Sequence, residues 1–311
     1  MTGGTGKRVL LTGAAGFIGS HIARLLVEGG HEVVAVIRPE TDRWRLADIE
    51  GDLVVIEGDL RALPELRTEL RAARPEICLH LAWHGWSGKA EAEENLSSLG
   101  VSLDLLRAMP DLACGRFVAV GTCFEYDLTH DRLSETTPLR PRELYGACKK
   151  SLFEVAQRFS ELTGVSVVTP RVFYSYGPFE DVRRLVPSIA LALLRGEGAQ
   201  VTQGEQVRDY LHVEDVASAI WRVAASDYTG AVNIASAEPV TIAELAMRVG
   251  RLLGRSDRVH LGAIPYRPGE PMRILADATT LRQGLGWAPR FDLDRGLAQT
   301  VRWWEARVGR G

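Results

Sequence analysis

The sequence predicts an α/β protein built on a doubly wound parallel sheet, with a second, smaller α/β unit in its later half. Three observations carry this. Short β-branched apolar runs alternate with segments of helical period through the first half of the chain, the alternation that puts helices on both faces of a parallel sheet. Those runs are continuously apolar, as befits strands buried on both sides. A glycine-rich turn joins the first run directly to the first helical segment.

Taken in order, Lys7 to Leu11 (KRVLL) reads as the first strand and breaks at Thr12-Gly13. A helical pattern follows from Gly16 to Glu28, ahead of Gly29-Gly30. Val33 to Ile37 and Asp52 to Glu57 are the second and third strands, the latter closed by Gly58-Asp59. Helical spacing returns over Leu60 to Ala73, and Glu76 to Leu81 (EICLHL) is a fourth strand. Further strands are expected at Arg116 to Val120, Ser166 to Pro170 and Ala231 to Ile234. Helices are expected at Glu93–Arg107, Leu144–Leu162, Leu185–Leu194, Val213–Ala225 and Ile242–Leu253. The pair Trp303-Trp304 fits a terminal helix docking on the core. The expected division is 1–170 plus about 213–230 for the sheet domain, and 171–212 plus about 231–311 for the smaller one.

Composition narrows the function classes. A chain of 311 residues suits one large or two modest domains of about 150 residues each. With 37 basic and 40 acidic residues the net charge is −3, which gives no electrostatic reason to expect a nucleic-acid partner or a polybasic membrane contact. Cys78, Cys114, Cys123 and Cys148 are scattered, with no CxxC pair, so neither a disulfide framework nor a metal site is suggested. No apolar stretch of signal-peptide length precedes Thr12-Gly13, and no run approaches a membrane span. A cytoplasmic protein is expected.

Thr12-Gly13-Ala14-Ala15-Gly16-Phe17-Ile18-Gly19 lies between a strand and a helix, the context a dinucleotide site demands. Glycine permits the tight turn and close backbone approach to a pyrophosphate, which then rests on unpaired N–H groups at the helix N-terminus. Gly3-Gly4-Thr5-Gly6-Lys7 lacks a preceding strand and a hydroxyl after the lysine, so it is read as a loose N-terminus. The second strand bears on which dinucleotide. An NAD-selective site places Asp or Glu about 20 residues beyond the glycines, on the ribose. Here the strand ends Ala35-Val36-Ile37-Arg38. No carboxylate repels a 2′-phosphate, and the guanidinium can pair with it through two charge-assisted bonds. Arg43 and Arg45 are candidates to extend that patch. NADP(H) is therefore preferred, with NAD possible if Glu40 or Asp42 reads the ribose instead.

Tyr145 and Lys149 stand four residues apart where a helical pattern begins, so phenol and ammonium project from one face. Hydride exchange between a nicotinamide and a carbinol carbon requires the oxygen to lose or gain a proton in step. A free phenol near pKa 10 is a poor base, and a neighbouring cation favours the phenolate. Thr122, just after the strand ending at Val120, is placed to bond the same oxygen.

The glycine turn, His80-Leu81-Ala82, Thr122 with Tyr126, Pro138 and Pro141 ahead of Tyr145-x-x-x-Lys149, Arg171 to Pro178 (RVFYSYGP) and Arg208 to Val216 (RDYLHVEDV) occur in one order along nearly the whole chain. In these motifs the chain resembles the extended short-chain dehydrogenase/reductases, and within them the branch that acts on nucleotide sugars. The resemblance implies a Rossmann domain with a small nucleotide-sugar domain, and a catalytic triad of Thr122, Tyr145 and Lys149. It places the cofactor on Gly13, Gly16, Phe17, Ile18 and Gly19, with Arg38, Leu81 and Ala82 alongside, Asp59 and Leu60 at the adenine, and Tyr145 and Lys149 at the nicotinamide end, Lys149 on its ribose. Arg208 and Arg267 (in Arg267-Pro268-Gly269-Glu270) match positions that hold the nucleotide diphosphate. Tyr174 stands where many relatives have a substrate-touching asparagine, and Asn95 is a second candidate for an asparagine contact. A homodimer through the helices near Glu93–Arg107 and Leu144–Leu162 is also implied.

Departures from the family pattern narrow the activity. The resemblance to 4,6-dehydratases calls for acidic residues after the triad threonine, and Thr122 is followed by Cys123-Phe124. Enzymes that invert C3 and C5 use a cysteine and a histidine where this chain has Phe124 and Phe179. What remains is an NADPH-dependent 4-ketoreductase of a dTDP- or CDP-linked 4-keto-6-deoxyhexose in deoxysugar biosynthesis. The alternative is a nucleotide-sugar 4-epimerase with tightly bound NAD. Trp83 and His84 follow the fourth strand at the edge where such sheets bind ligands; Trp83 is a candidate wall of a sugar pocket and His84 a candidate contact for a hydroxyl, the equal alternative being that Trp83 and Trp86 seal a loop. Glu125 and Tyr126 are candidates for the same cleft, Tyr126 being equally a candidate for core packing, and His212 is read as structural.

Overall fold

A computed structural model describes residues 6–83 and 90–309. In chain order the main elements begin with β1 (Arg8–Thr12), α1 (Phe17–Glu28), β2 (Glu32–Ile37), β3 (Leu53–Glu57), α2 (Leu63–Ala73), β4 (Ile77–His80) and α3 (Glu94–Ala108). They continue with β5 (Arg116–Ala119), β6 (Gly121–Thr122), α4 (Leu144–Thr163), β7 (Ser166–Val172), β8 (Tyr174–Tyr176), α5 (Leu185–Leu194), β9 (Ala199–Gln200) and β10 (Val207–His212). The remainder is α6 (Val213–Ala224), β11 (Gly230–Ile234), β12 (Pro239–Thr241), α7 (Ile242–Leu252), β13 (Val259–His260), β14 (Arg273–Ile274) and α8 (Leu293–Val308).

One compact unit comprises Met1–Asp127, Thr137–Val172 and Ala217–Ile234. Its sheet runs β11-β7-β5-β4-β1-β2-β3, with short β6 also on β7, and each pairing is parallel. The continuous apolar runs are explained by burial on both faces. Leu10, Val34, Cys78, Phe117 and Val167 pack under α2, α3 and α4 with Leu70, Leu105 and Leu152. Their neighbours in sequence, Val9, Leu11, Val33, Leu79 and Val168, are as fully buried although strand geometry points them the other way. Strand order reverses at β1, which lies between β4 and β2, and such a switch point opens a crevice at the carboxyl ends of the strands.

Arg116 ties the far side of this unit together. Its guanidinium donates to the carbonyls of Val223 and Ala224 at 2.9 and 2.7 Å and of Tyr228 at 2.8 Å. The last carbonyls of α6 lack partners within the helix, and a cation is favourable at that end of the dipole.

The second unit comprises Leu128–Thr136, Phe173–Val216 and Ala235–Gly311. Strand β10 pairs with β12, β14 and β8, and β13 pairs with β9. Its core gathers Val186 and Ile189 from α5, Leu245 and Val249 from α7, and Leu297, Val301 and Trp304 from α8. The grouping departs from the expected boundaries by a few residues at 171–172 and 213–216, and more tellingly at 128–136 and 231–234. Residues 128–136 belong here because Leu133 bonds through its backbone with Leu275 and Asp277. Residues 231–234 belong to the first unit because β11 completes its sheet beside β7. Strand β10 is not evident from apolar pattern, because Arg208 and Asp209 interrupt it. Both are buried; Asp209 accepts from the backbone of Ser236 (2.7 Å), Ala237 (2.9 Å) and Ala276 (3.4 Å) and from the Ser236 hydroxyl (2.7 Å).

Candidate active site

The glycine turn leaves β1 at Gly13, whose φ of +76° lies in the region that only glycine enters without strain. A Cβ there would fall 2.8 Å from Ala82 N and 2.9 Å from Leu81 C, so β4 closes on the turn because the side chain is missing. A Cβ on Gly19 would collide with the Gly13 carbonyl; this residue serves helix packing and does not line the cleft. No side chain caps α1 at Gly16, and no acidic residue occupies its first turn. The N–H groups of Phe17 and Ile18 are thus offered to an anion.

A cleft of about 420 Å³ opens at this point. Of the expected residues, Gly13, Gly16, Arg38, Asp59, Leu60, Leu81, Ala82 and Trp83 line it, joined by Arg61, Thr41 and Ser98 among others. Bare N–H groups beside a glycine cradle, in a cleft walled by apolar Val36, Ile37 and Leu60, suit a dinucleotide. His84 and Trp86 lie outside the described residues.

At the far end Arg38 is the first residue past β2, with Nε 3.4 Å from Glu40. The two carboxylates that compete for the ribose do not line the cleft. Glu40 faces Arg38, and Asp42 accepts from the Trp44 N–H at 3.0 Å. Arg43 turns away to Glu50 and Glu57, and Arg45 stacks on Trp44; neither extends the Arg38 patch as expected. Arg61, missed in the sequence, takes that place. It holds Asp59 at 2.5 Å, and the Arg61 bonds keep the Asp59 carboxyl below its usual range, with Arg38 adding to the effect. The signal was available, since Arg61 follows β3 much as Arg38 follows β2.

The turn is locked to β4 and α3 by a polar chain. His80 Nδ1 lies 2.8 Å from Thr12 Oγ1 and His80 Nε2 lies 2.8 Å from Ser102 Oγ. The Ser102 hydroxyl donates to the Ser98 carbonyl at 2.7 Å, so it accepts from the imidazole Nε2–H, and Nδ1 then accepts from Thr12. Thr12 Oγ1 in turn accepts from the Ala82 N–H at 3.2 Å. His80 is buried and works as a neutral ring; burial, then Lys149, lowers its pKa to about 3. The unfolded state, near 6.5, therefore binds a proton that the native state refuses. Stability is full above pH 6.5 and falls toward pH 3, by up to about 1.4 kcal/mol per pH unit from this group. Urea midpoints between pH 4 and 8 are expected to drop on the acid side, with a shallower drop in His80→Gln. Equal slopes in the two proteins would contradict the neutral assignment.

Tyr145 and Lys149 sit on the first turns of α4, brought close to Thr122 by Gly146. A Cβ at Gly146 would strike the Phe124 carbonyl and approach Pro141 Cβ to 3.0 Å. Lys149 is 5% exposed and donates from Nζ to Val120 O at 2.8 Å. Burial lowers its pKa to about 7, with Glu125 opposing. Thr122 opens a short turn, accepting from Phe124 N at 3.4 Å while its own N–H donates to Glu125 Oε1 at 2.8 Å. Neither Glu125 nor Tyr126 lines the cleft: Tyr126 takes the packing alternative, and Glu125 departs from its cleft expectation. Both are 0% exposed. Glu125 Oε2 takes Arg171 Nε at 2.8 Å, and the Tyr126 hydroxyl donates to Asn233 at 2.7 Å while accepting from Arg171 at 3.0 Å. They hold the Thr122 turn from behind. Asn95 is also buried and is bonded to the Trp83 indole at 2.8 Å. Cys123 is buried.

In the second unit, Arg208 is 3% exposed. Its guanidinium lies 5.5 Å from the Tyr174 ring centre and 3.0 Å from Glu270. Glu270 closes the turn begun by Arg267, through its N–H to the Arg267 carbonyl at 3.1 Å. Arg267 is exposed. Nearby in sequence, burial raises the Glu180 pKa to about 8, with Arg184 opposing. Sequence reasoning had no reason to single out either residue.

Comparison with known proteins gives consistent likenesses. Residues 9–235 match the model of the NAD dependent epimerase/dehydratase family. The chain is 28% identical over 323 residues to a dTDP-glucose 4,6-dehydratase of Xanthomonas campestris pv. campestris, covering 95% of this chain and 92% of that protein. It is 30% identical over 317 residues to a dTDP-4-dehydro-6-deoxy-D-allose reductase of Streptomyces bikiniensis, covering 96% of each. A dTDP-glucose 4,6-dehydratase of Streptomyces venezuelae solved with NAD superposes with a TM-score of 0.87 at 28% identity, over 97% of this chain and 98% of that one.

Proposed function

This chain belongs to the NAD dependent epimerase/dehydratase family, and from that premise we propose that it is an NADPH-dependent 4-ketoreductase of a nucleotide-linked 4-keto-6-deoxyhexose. The observation that carries the choice among family activities is the turn after Thr122. Cys123 is buried and Phe124 is apolar, so no carboxyl pair follows Thr122 to remove and return protons at C5 and C6. The Streptomyces bikiniensis relative, named as a reductase of a dTDP-4-dehydro-6-deoxy sugar, supports the same reading.

When bound, the reduced nicotinamide supplies the hydride that adds to C4. Tyr145 donates its phenolic proton to the oxygen that becomes the alcohol, and the Lys149 ammonium one helical turn on stabilises the phenolate left behind. Thr122 steadies the carbonyl oxygen, its backbone held by Glu125. Gly13, Phe17 and Ile18 hold the pyrophosphate, and Arg38 with Arg61 favours a 2′-phosphate. Arg208 and Arg267 bind the substrate diphosphate, with Tyr174 beside Arg208.

The test is incubation with NADPH and a panel of dTDP- and CDP-linked 4-keto-6-deoxy sugars, with products identified by NMR. Consumption of NADPH only when a 4-keto sugar is present is expected. Sugar interconversion with no net NADPH loss and cofactor retained through purification would identify a 4-epimerase instead. In the same assay Arg38→Ala should raise the KM for NADPH by about 10- to 100-fold, the worth of a charged hydrogen bond. Its KM for NADH should stay put; equal loss for both cofactors removes the 2′-phosphate role.

A homodimer through α3 and α4 is part of the proposal, since Leu96, Val155 and Leu162 are 51%, 46% and 85% exposed on those helices. Sedimentation equilibrium should give twice the 34.1 kDa chain mass, and a monomer at micromolar concentration would remove it. The four cysteines are buried and form no disulfide, as suits the cytoplasmic setting proposed, and among the described residues no helix is long and apolar enough to cross a membrane.

A further inference from the structure

Among the described residues lining the cleft, Trp83 is the only aromatic side chain. Its ring is held on two sides. The indole Nε1–H donates to Asn95 Oδ1 at 2.8 Å, and the Asn95 amide donates to the carbonyls of Ala92 and Ala90 at 2.8 and 3.3 Å. With both amide hydrogens spent on carbonyls, Oδ1 is left to accept. Asn95 is 2% exposed, so this arrangement fixes the ring plane.

The face of that ring lies against the catalytic helix. Lys149 Nζ is 3.8 Å from the Trp83 ring centre, and the Tyr145 ring meets Trp83 edge-on at 6.0 Å and 81°. We infer that Trp83 is a positioning residue for the Tyr145–Lys149 pair, its indole face seating the Lys149 ammonium and Asn95 setting the ring. The inference rests on the reading of Tyr145 and Lys149 as the proton donor and its cation.

The physical reason is the position of Lys149. A buried ammonium needs partners for its three donors, and one goes to Val120 O. A tryptophan face within about 6 Å supplies attraction for a desolvated cation without a competing proton. The groups facing Lys149 from other elements are Glu125 after β6, which favours the charge, and His80 at the end of β4, which is neutral. Tyr145 lies on its own helix. Trp83 therefore adds to Glu125 in holding the ammonium against burial.

The test reads Lys149 directly in cofactor-free protein, by NMR titration of lysines labelled at Cε, with the resonance assigned by its loss in Lys149→Met. Removing the ring face in Trp83→Leu should lower the titration midpoint by about 0.5 to 1.5 pH units. Trp83→Met, which keeps bulk without a π face, should do the same, and Trp83→Phe should recover part of the shift. In the ketoreductase assay, the pH above which kcat falls should move down in step. The titration needs neither substrate nor cofactor, so it stands if the 4-keto sugar reading fails. A midpoint unmoved in whichever of the Leu and Met variants folds overturns the role of Trp83, even in a fully active reductase.

Discussion

Tyr145→Phe is expected to lower kcat/KM for the 4-keto sugar by about 10²- to 10⁴-fold, the usual worth of a positioned general acid, while NADPH binding is unchanged. Phenylalanine keeps the ring that meets Trp83 edge-on and removes only the transferable proton. Hydride that adds to C4 then leaves an alkoxide without the proton that Tyr145 supplies. Lys149 is ill suited to stand in, because its Nζ is already engaged by Val120 O and the Trp83 face. Steady-state kinetics, with NADPH fluorescence titration on the same preparation, separates chemistry from binding. Turnover within tenfold of wild type in a variant that still binds NADPH would rule out the phenol as the proton source.

The second large effect is on stability. Glu125→Leu should cost about 3–5 kcal/mol, because it leaves the Arg171 guanidinium buried without its counter-charge. The two side chains are 0% and 1% exposed, and Arg171 cannot shed its charge at any working pH. Its flanking contacts with the rings of Tyr126 and Phe153, at 4.7 and 4.6 Å, do not replace a carboxylate. The double variant Glu125→Leu, Arg171→Met should recover part of the loss, since two apolar residues need no pairing. Urea denaturation of the three variants checks both parts. A single variant within 1 kcal/mol of wild type would show that the pair is dispensable. Because Glu125 also accepts from the Thr122 N–H, the double variant should remain catalytically impaired even where stability returns.

The elements of the first unit were readable because their cause is local. A continuous apolar run bounded by turn residues is satisfied as a strand buried on both faces, and β1, β2, β4, β5 and β7 follow that rule closely, whereas the edge strand β3 leaves Val54 exposed. Strands β8, β10, β12 and β14 were not readable. Arg208 and Asp209 break the apolar signal of β10, and they are tolerated there only because Glu270, Ser236, Ala237 and Ala276 arrive from distant positions to pair with them. The same holds for Glu125 and Tyr126, which in sequence look like cleft residues. Arg171 and Asn233, supplied by β7 and β11, turn them into a buried scaffold.

The sequence by itself determined the parallel sheet, the glycine turn and the Tyr145–Lys149 spacing, because each depends on period and on backbone freedom that neighbouring residues set. Only the tertiary structure decided which charges do what. Arg43 pairs with Glu50 and Glu57, Arg61 joins Arg38 at the cleft, and Trp83 lies over Lys149. Charge and aromatic contacts act over a few ångströms between residues far apart in the chain, and that distance is known only once the chain has folded.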